Sequence, residues 1–252
     1  MNLPVVITII VTFLIAFLLG GIIHSSTTVI YNQSGMQTIA YGSYCLNGTA
    51  NYSSAQIIVP AVDQNGMGVA TQLKVEVEPG RGKVLTNIEN LLFWVDTQNS
   101  IRTALSVAKD YLQKDISNQN IIYTIKANAS VIEGPSAGAA LTVATIAALS
   151  RRELNKSIMI TGTINHDGTI GPIGGALSKA QAAKSIGAEL FLVPITQSIE
   201  TSYETQRHCE PIGWGEYCTI ETVPKRVDIQ STAGIRVAEV ENIDEAVAYF
   251  LE

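Results

Sequence analysis

The sequence predicts an α+β domain running from about residue 57 to the C-terminus, and three observations carry that expectation. Short apolar runs with two-residue alternation recur, as in "VATQLKVEVEPG", where Leu73, Val75 and Val77 fall on one face. Segments with helical spacing lie among them, such as Ile101, Leu105, Ala108 and Leu112 in "NSIRTALSVAKDYLQ". The two kinds of segment do not follow a regular strand–helix–strand rhythm, which favours α+β over a doubly wound parallel sheet.

Taken in order, the elements begin before the domain. Residues 3–23, "LPVVITIIVTFLIAFLLGGII", hold no charged side chain over 21 positions, about the ~20 that cross a hydrocarbon core as a helix. Residues 1–25 therefore read as a transmembrane anchor, with a cleaved signal peptide as the competing reading. The apolar run is longer than a usual signal core, no basic side chain precedes it, and no A-x-A site follows. Residues 26–56 read as a polar stalk rich in Asn, Ser, Thr, Gly and Tyr; no Asp, Glu, Lys or Arg precedes Asp63.

The domain itself occupies residues 57–252. "AQIIVPAVD" is a short apolar strand, and the alternating run after it ends at a Pro-Gly turn. The helix through Ile101 and Leu112 has Ser100 as its expected cap. "NIIYTIKANA" reads as a strand, "SAGAALTVATIAALSRRE" as a helix of small residues, and "SIMITGTI" as a strand. "DGTIGPIGG" is a turn-rich connection into the helix "ALSKAQAAKSIGA", which ends at Gly187. "ELFLVP" is a buried strand and "VENIDEAVAYFLE" an amphipathic closing helix. Residues 196–235 interrupt this pattern as a polar insertion.

Composition narrows the function. A formal charge of −6 speaks against nucleic acid as a partner, which needs a basic surface. Of the three cysteines, Cys209 and Cys218 are close enough in sequence to close a short disulfide loop in an oxidising compartment, with two free thiols as the other reading. Sequons at Asn32, Asn47, Asn51 and Asn128 point the same way, so the body is expected on the extracytoplasmic side of the membrane.

Familiar catalytic sets are mostly missing. His24, His166 and His208 are the three histidines; only His166 lies within the domain pattern, in a loop where a turn role is the commoner one. No cluster has zinc spacing, so no metal is expected. "EPGRGKV" lacks the spacing of a phosphate loop, so no ATP site or other cofactor is expected. Lysine remains as a base. In "EGPSAG", Pro135 fixes the approach to a helix, and the N–H groups of Gly134, Ser136 and Ala137 lie where unpaired donors and the helix dipole favour a developing oxyanion. Ser136 there reads as a nucleophile or as a helix cap. In "GPIGGALSK", Lys179 follows an Ala-, Leu-, Ile- and Gly-rich stretch, where burial lowers an ammonium pKa; an exposed lysine on the helix surface is the alternative.

Together, "GPSAG", "ITGTI" and "GPIGGALSK" resemble the proteolytic domain of the Lon proteases. The resemblance extends over residues 57–250 apart from the insertion, and "VEVEPGRGKVLT" looks like that family's strand-turn-strand. It implies a Lon-type protease fold and a Ser-Lys dyad of Ser136 and Lys179, which lie 43 positions apart. It also implies supporting roles at matched positions. Thr161 is similar to a threonine that contacts the lysine, and Glu133 stands where the family has an acidic residue. Two departures accompany it: Thr163 replaces a glutamate after Thr-Gly, and a span and stalk stand where Lon chains carry an ATPase module. The expectation is an ATP-independent, membrane-tethered serine endopeptidase acting on peptides or unfolded proteins; relatives often form hexameric rings, so a homo-oligomer is an open expectation. The rival is a catalytically silent Lon-like module that binds peptides or supports assembly.

Overall fold

Alternating residues build the first strand, β1 (Ser53–Val62), which buries Ala55, Ile57 and Val59 and exposes Ser54, Gln56 and Ile58. The computed structural model describes residues 52–63, 66–89, 95–127 and 135–251. The expected span, the stalk as far as residue 51, Cys45 and the four sequon asparagines lie outside these residues, whereas residues 53–56, expected as the end of the stalk, belong to β1 because their alternation pairs them with β2. Among the described residues, no helix is long and apolar enough to cross a membrane.

β1 pairs antiparallel with β2 (Gly68–Pro79), and β3 (Val84–Glu89) runs parallel to β4 (Gln119–Ala127), giving a four-stranded sheet in the order β1-β2-β4-β3. After β3 comes helix α1 (Val95–Leu112), and after β4 comes helix α2 (Gly138–Ser150). Every residue of α2 from Gly138 to Leu149 is buried. A helix that is apolar all round belongs inside a core rather than on its surface. Its two threonines return their hydroxyls to the carbonyls of Gly138 and Leu141, and Tyr123 of β4 hydrogen-bonds Thr145 at 2.9 Å, so no polar side chain on α2 is left wanting.

Next in order come β5 (Ile158–Ile160), the short ribbon β6 (Thr163–Ile164) and β7 (Ile170–Gly171), helix α3 (Ala176–Ser185) and β8 (Leu190–Pro194). The long hairpin β9 (Ile199–Ile212) and β10 (Gly215–Asp228) follows, then α4 (Ile229–Ala233), β11 (Arg236–Val240) and α5 (Ile243–Leu251). β11, β8 and β5 form a parallel sheet in that order. Strand β8 is buried along its whole length, as a central parallel strand covered on both faces must be. A second apolar cluster, including Met159, Ala180, Ala183, Phe191 and Ile229, seats α3 against this sheet.

The α+β reading holds, and three details are corrected. Ser100 does not cap α1: the helix begins at Val95, and the Ser100 hydroxyl donates to the Asp96 carbonyl inside it. "SIMITGTI" is two strands, β5 and β6, broken at Thr161–Gly162, because those two residues are taken up by the serine turn described below. The helix "SAGAALTVATIAALSRRE" stops at Ser150, where Arg151 adopts a left-handed conformation with φ of 59°. The polar insertion near 196–235 is ordered as the β9–β10 hairpin. Its base is tied to the body by Ile229 N–H to the Ser198 carbonyl (3.0 Å) and Ser198 N–H to the Glu239 carboxylate (2.9 Å).

Candidate functional site

Two helix starts converge on one cleft. The first is the turn Pro135–Ser136–Ala137 before α2. Gly138 donates its N–H to the Pro135 carbonyl at 3.0 Å, and the helix cap is Ala137, with no side chain capping it. The Ser136 hydroxyl is therefore not consumed as a cap. Its carbonyl accepts the N–H of Gly162 at 2.9 Å and the hydroxyl of Thr161 at 3.3 Å, while Ala139 returns an N–H to the Gly162 carbonyl at 3.0 Å. Thr161, fully buried, thus fixes the serine's backbone.

Two glycines make this stapling feasible. A Cβ on Gly138 would sit 2.8 Å from the backbone nitrogen of Ile164, and one on Gly162 would sit 2.4 Å from Ile170 Cγ2. At Gly138 only a residue without a side chain lets the two backbones meet this closely, and at Gly162 the space a side chain would need is taken by Ile170.

The second helix start belongs to α3. Its cap residue is Gly175, at φ of 65°, and Lys179 is its fourth residue. Side chains lean toward the N-terminus of their helix, so the lysine reaches back over the first turn. Lys179 is only 5% exposed, and its Nζ lies 2.9 Å from Ser136 Oγ in hydrogen-bond contact. Burial pushes its amine down from the ordinary 10.5 to about 8, against an opposing pull from the Glu200 carboxylate. The positive end of the α3 dipole also disfavours a cation in the first turn. A neutral amine is thus within reach near physiological pH, which a nucleophile's base requires.

The pair opens onto a cleft of about 570 Å³. Val62, Asp63, Pro135, Thr163 and Ile173 are among its walls, so it offers both apolar and polar surface beside the hydroxyl.

The remaining expected residues divide clearly. Ser136 and Ala137 stand just before α2, at its N-terminal end; Glu133 and Gly134 lie outside the described residues. His166 is exposed in the turn between β6 and β7, closed by Gly168 N–H to the Asn165 carbonyl at 3.0 Å. Cys209 and Cys218 face each other across β9 and β10 and are joined as a disulfide. Glu216 is close to both sulfurs, but sulfurs bonded to each other have no thiolate to offer a metal.

Gln197 and Glu200 make contacts at the start of α3 that sequence reasoning missed. Gln197 accepts the N–H of Ile173 at 2.9 Å and donates to its carbonyl at 2.8 Å, pinning the loop into α3. Glu200 accepts the N–H of Leu177 at 2.8 Å. No spacing in the chain announces either. The one available signal was Gly175, a cap position without a side chain, whose helix must find its acceptor elsewhere.

With the geometry in view, the comparisons are specific. The model of the Lon protease (S16) C-terminal proteolytic domain matches residues 68–203. Lon protease of Buchnera aphidicola subsp. Acyrthosiphon pisum (strain APS) is 28% identical over 161 residues, covering 62% of this chain and 18% of that protein. Lon protease of Mesomycoplasma hyopneumoniae (strain 232) is 32% identical over 151 residues, with shares of 56% and 17%. Archaeal Lon protease of Methanothermobacter thermautotrophicus is 28% identical over 119 residues, with shares of 46% and 18%. The chain spans less than a fifth of the length of each of these relatives.

Proposed function

The chain belongs to the family of the Lon protease (S16) C-terminal proteolytic domain, and from that premise we propose that it is a serine endopeptidase with Ser136 as nucleophile and Lys179 as general base. The observation that carries this reading is the 2.9 Å contact between a buried amine and a serine hydroxyl that caps nothing.

The steps follow from the geometry. Neutral Lys179 takes the proton of Ser136 as Oγ attacks the scissile carbonyl carbon. Negative charge gathers on the carbonyl oxygen, where the N–H groups of Ser136 and Ala137, just before α2, stabilise it. The lysine ammonium then gives its proton to the leaving amine, and the C–N bond breaks to leave an ester on Ser136. Water, deprotonated by Lys179, attacks that ester and releases the acid. An open cleft beside the hydroxyl suits an extended peptide or an unfolded segment.

The finer parts of the proposal rest on other features. No step calls on nucleotide, so casein should be cut without ATP. Residues 3–23 are apolar and uncharged, which supports tethering to a membrane. The Cys209–Cys218 disulfide supports an oxidising, extracytoplasmic location. The rival reading, a silent peptide-binding module, leaves the amine–hydroxyl contact without a use.

The test is the pH dependence of casein cleavage by the full chain, without nucleotide. Only the neutral amine can accept the proton, and its fraction falls about tenfold per unit below its pKa. With Lys179 at about 8, the rate is expected to climb with pH and level off above that value. A rate that is absent, or flat through the same range, contradicts the proposal.

A further inference from the structure

The hairpin base reaches the lysine helix through one carboxylate. Helix α3 begins at Gly175, which has no side chain to accept an N–H, and a Cβ there would lie 3.2 Å from Val62 Cγ2 in a left-handed backbone. Helix starts leave N–H groups unpaired, and a side-chain oxygen of the cap residue normally accepts the one at N2 or N3. Here the acceptor comes from another element. Glu200, at the start of β9, takes the N–H of Leu177 at 2.8 Å. Two residues later on the same helix is Lys179, whose side chain leans back toward that end.

We propose that Glu200 is a positioning residue for the dyad: it caps the helix that carries Lys179 and brings a carboxylate to the end of that helix toward which the lysine leans. The inference rests on the dyad reading given above. Two effects oppose each other at the lysine. Burial and the helix dipole favour the neutral amine, whereas the Glu200 carboxylate favours the ammonium. Glu200 thereby raises the pH at which the neutral base becomes available, against the larger effect of burial.

The other charged groups around α3 do not share this place. Asp63 follows β1 at the cleft wall, and its carboxylate accepts the N–H of Met67. Asp228 caps α4 through Ser231 N–H. Lys184 is exposed further along α3 itself. Glu133 lies outside the described residues. The hairpin was read from the sequence as an insertion, yet its base at Glu200 lies within the family-matched residues 68–203 and is hydrogen-bonded to the helix that carries Lys179.

Glu200→Gln separates charge from capping, since the amide oxygen still accepts the Leu177 N–H. Two readouts are taken on the full chain: the pH profile of casein cleavage, and the pH dependence of acylation of the Lys179 amine by acetic anhydride. Labelling is quantified by mass spectrometry against exposed Lys184. In Glu200→Gln both profiles are expected to move to lower pH, so that the rate well below the limb rises roughly threefold or more relative to its own plateau. Glu200→Ala, which also removes the cap, should move the profiles the same way and lower the plateau. Glu210→Gln, in the exposed hairpin, should change neither. Profiles of Glu200→Gln and Glu200→Ala that overlay the wild type overturn the inference. The amine readout keeps it separate from the dyad reading: cleavage by Ser136→Ala sinks the dyad, while the labelling of Lys179 still reports on Glu200.

Discussion

Casein cleavage is expected to fall by at least about a thousandfold in both Ser136→Ala and Lys179→Ala, with the fold retained in each. The size follows from what each change removes. Without Oγ no ester can form; without the amine, Ser136 keeps its proton at neutral pH and is a poor nucleophile. Groups that act as one unit lose nearly everything when either is removed. The two losses should therefore not multiply in the double variant. Retention of the fold follows from where the serine turn gets its hold. Its contacts are the Ser136 carbonyl to Gly162 N–H and Thr161 hydroxyl, and Ala139 N–H to the Gly162 carbonyl. Alanine keeps all of them. Circular dichroism checks the fold, and cleavage at the wild-type rate by either variant would contradict the roles assigned.

The second large effect is on stability, and its sign is opposite to its effect on activity. Lys179→Met should stabilise the domain by about 3 kcal/mol near neutral pH, an upper value, while abolishing cleavage. The folded amine titrates at about 8 and the unfolded one at its ordinary 10.5. Below about pH 8 both states are protonated, and the folded protein bears the full cost of a buried ammonium. As pH rises from about 8 toward 10.5, the folded amine goes neutral while the unfolded one stays charged, so that cost is progressively relieved. Wild-type stability should thus rise with pH over this window relative to Lys179→Met. Methionine fills similar volume without charge, so packing changes little. Urea unfolding of both proteins at several pH values measures it. A stability difference that does not vary with pH would contradict the assigned environment of Lys179.

Residues whose role depends on local pattern were legible in the chain. β1 and β2 announce themselves by alternation, β8 by an unbroken apolar run, and α2 by its small residues after Gly-Pro-Ser. The proposed dyad was legible because Ser136 and Lys179 sit in two ordered motifs, each weak alone. What stayed hidden is what depends on contacts between distant segments. Ser136 reads equally well as a cap until the cap is seen to be Ala137 and its hydroxyl is seen against Lys179. The bond from the Thr161 hydroxyl to the serine's carbonyl could not be read from the chain either, because it depends on β5 ending beside that turn. Gln197 and Glu200 were read as part of an insertion. Only the fold of the hairpin base against α3 shows what they hold.

The central claim is that a neutral Lys179 makes Ser136 reactive, and the rate of covalent labelling by a fluorophosphonate probe tests it most directly. The account expects one label, on Ser136, forming at a rate that rises with pH to a plateau above about 8, and almost none in Lys179→Ala. A label on another residue, or equal labelling of wild type and Lys179→Ala at every pH, would contradict it.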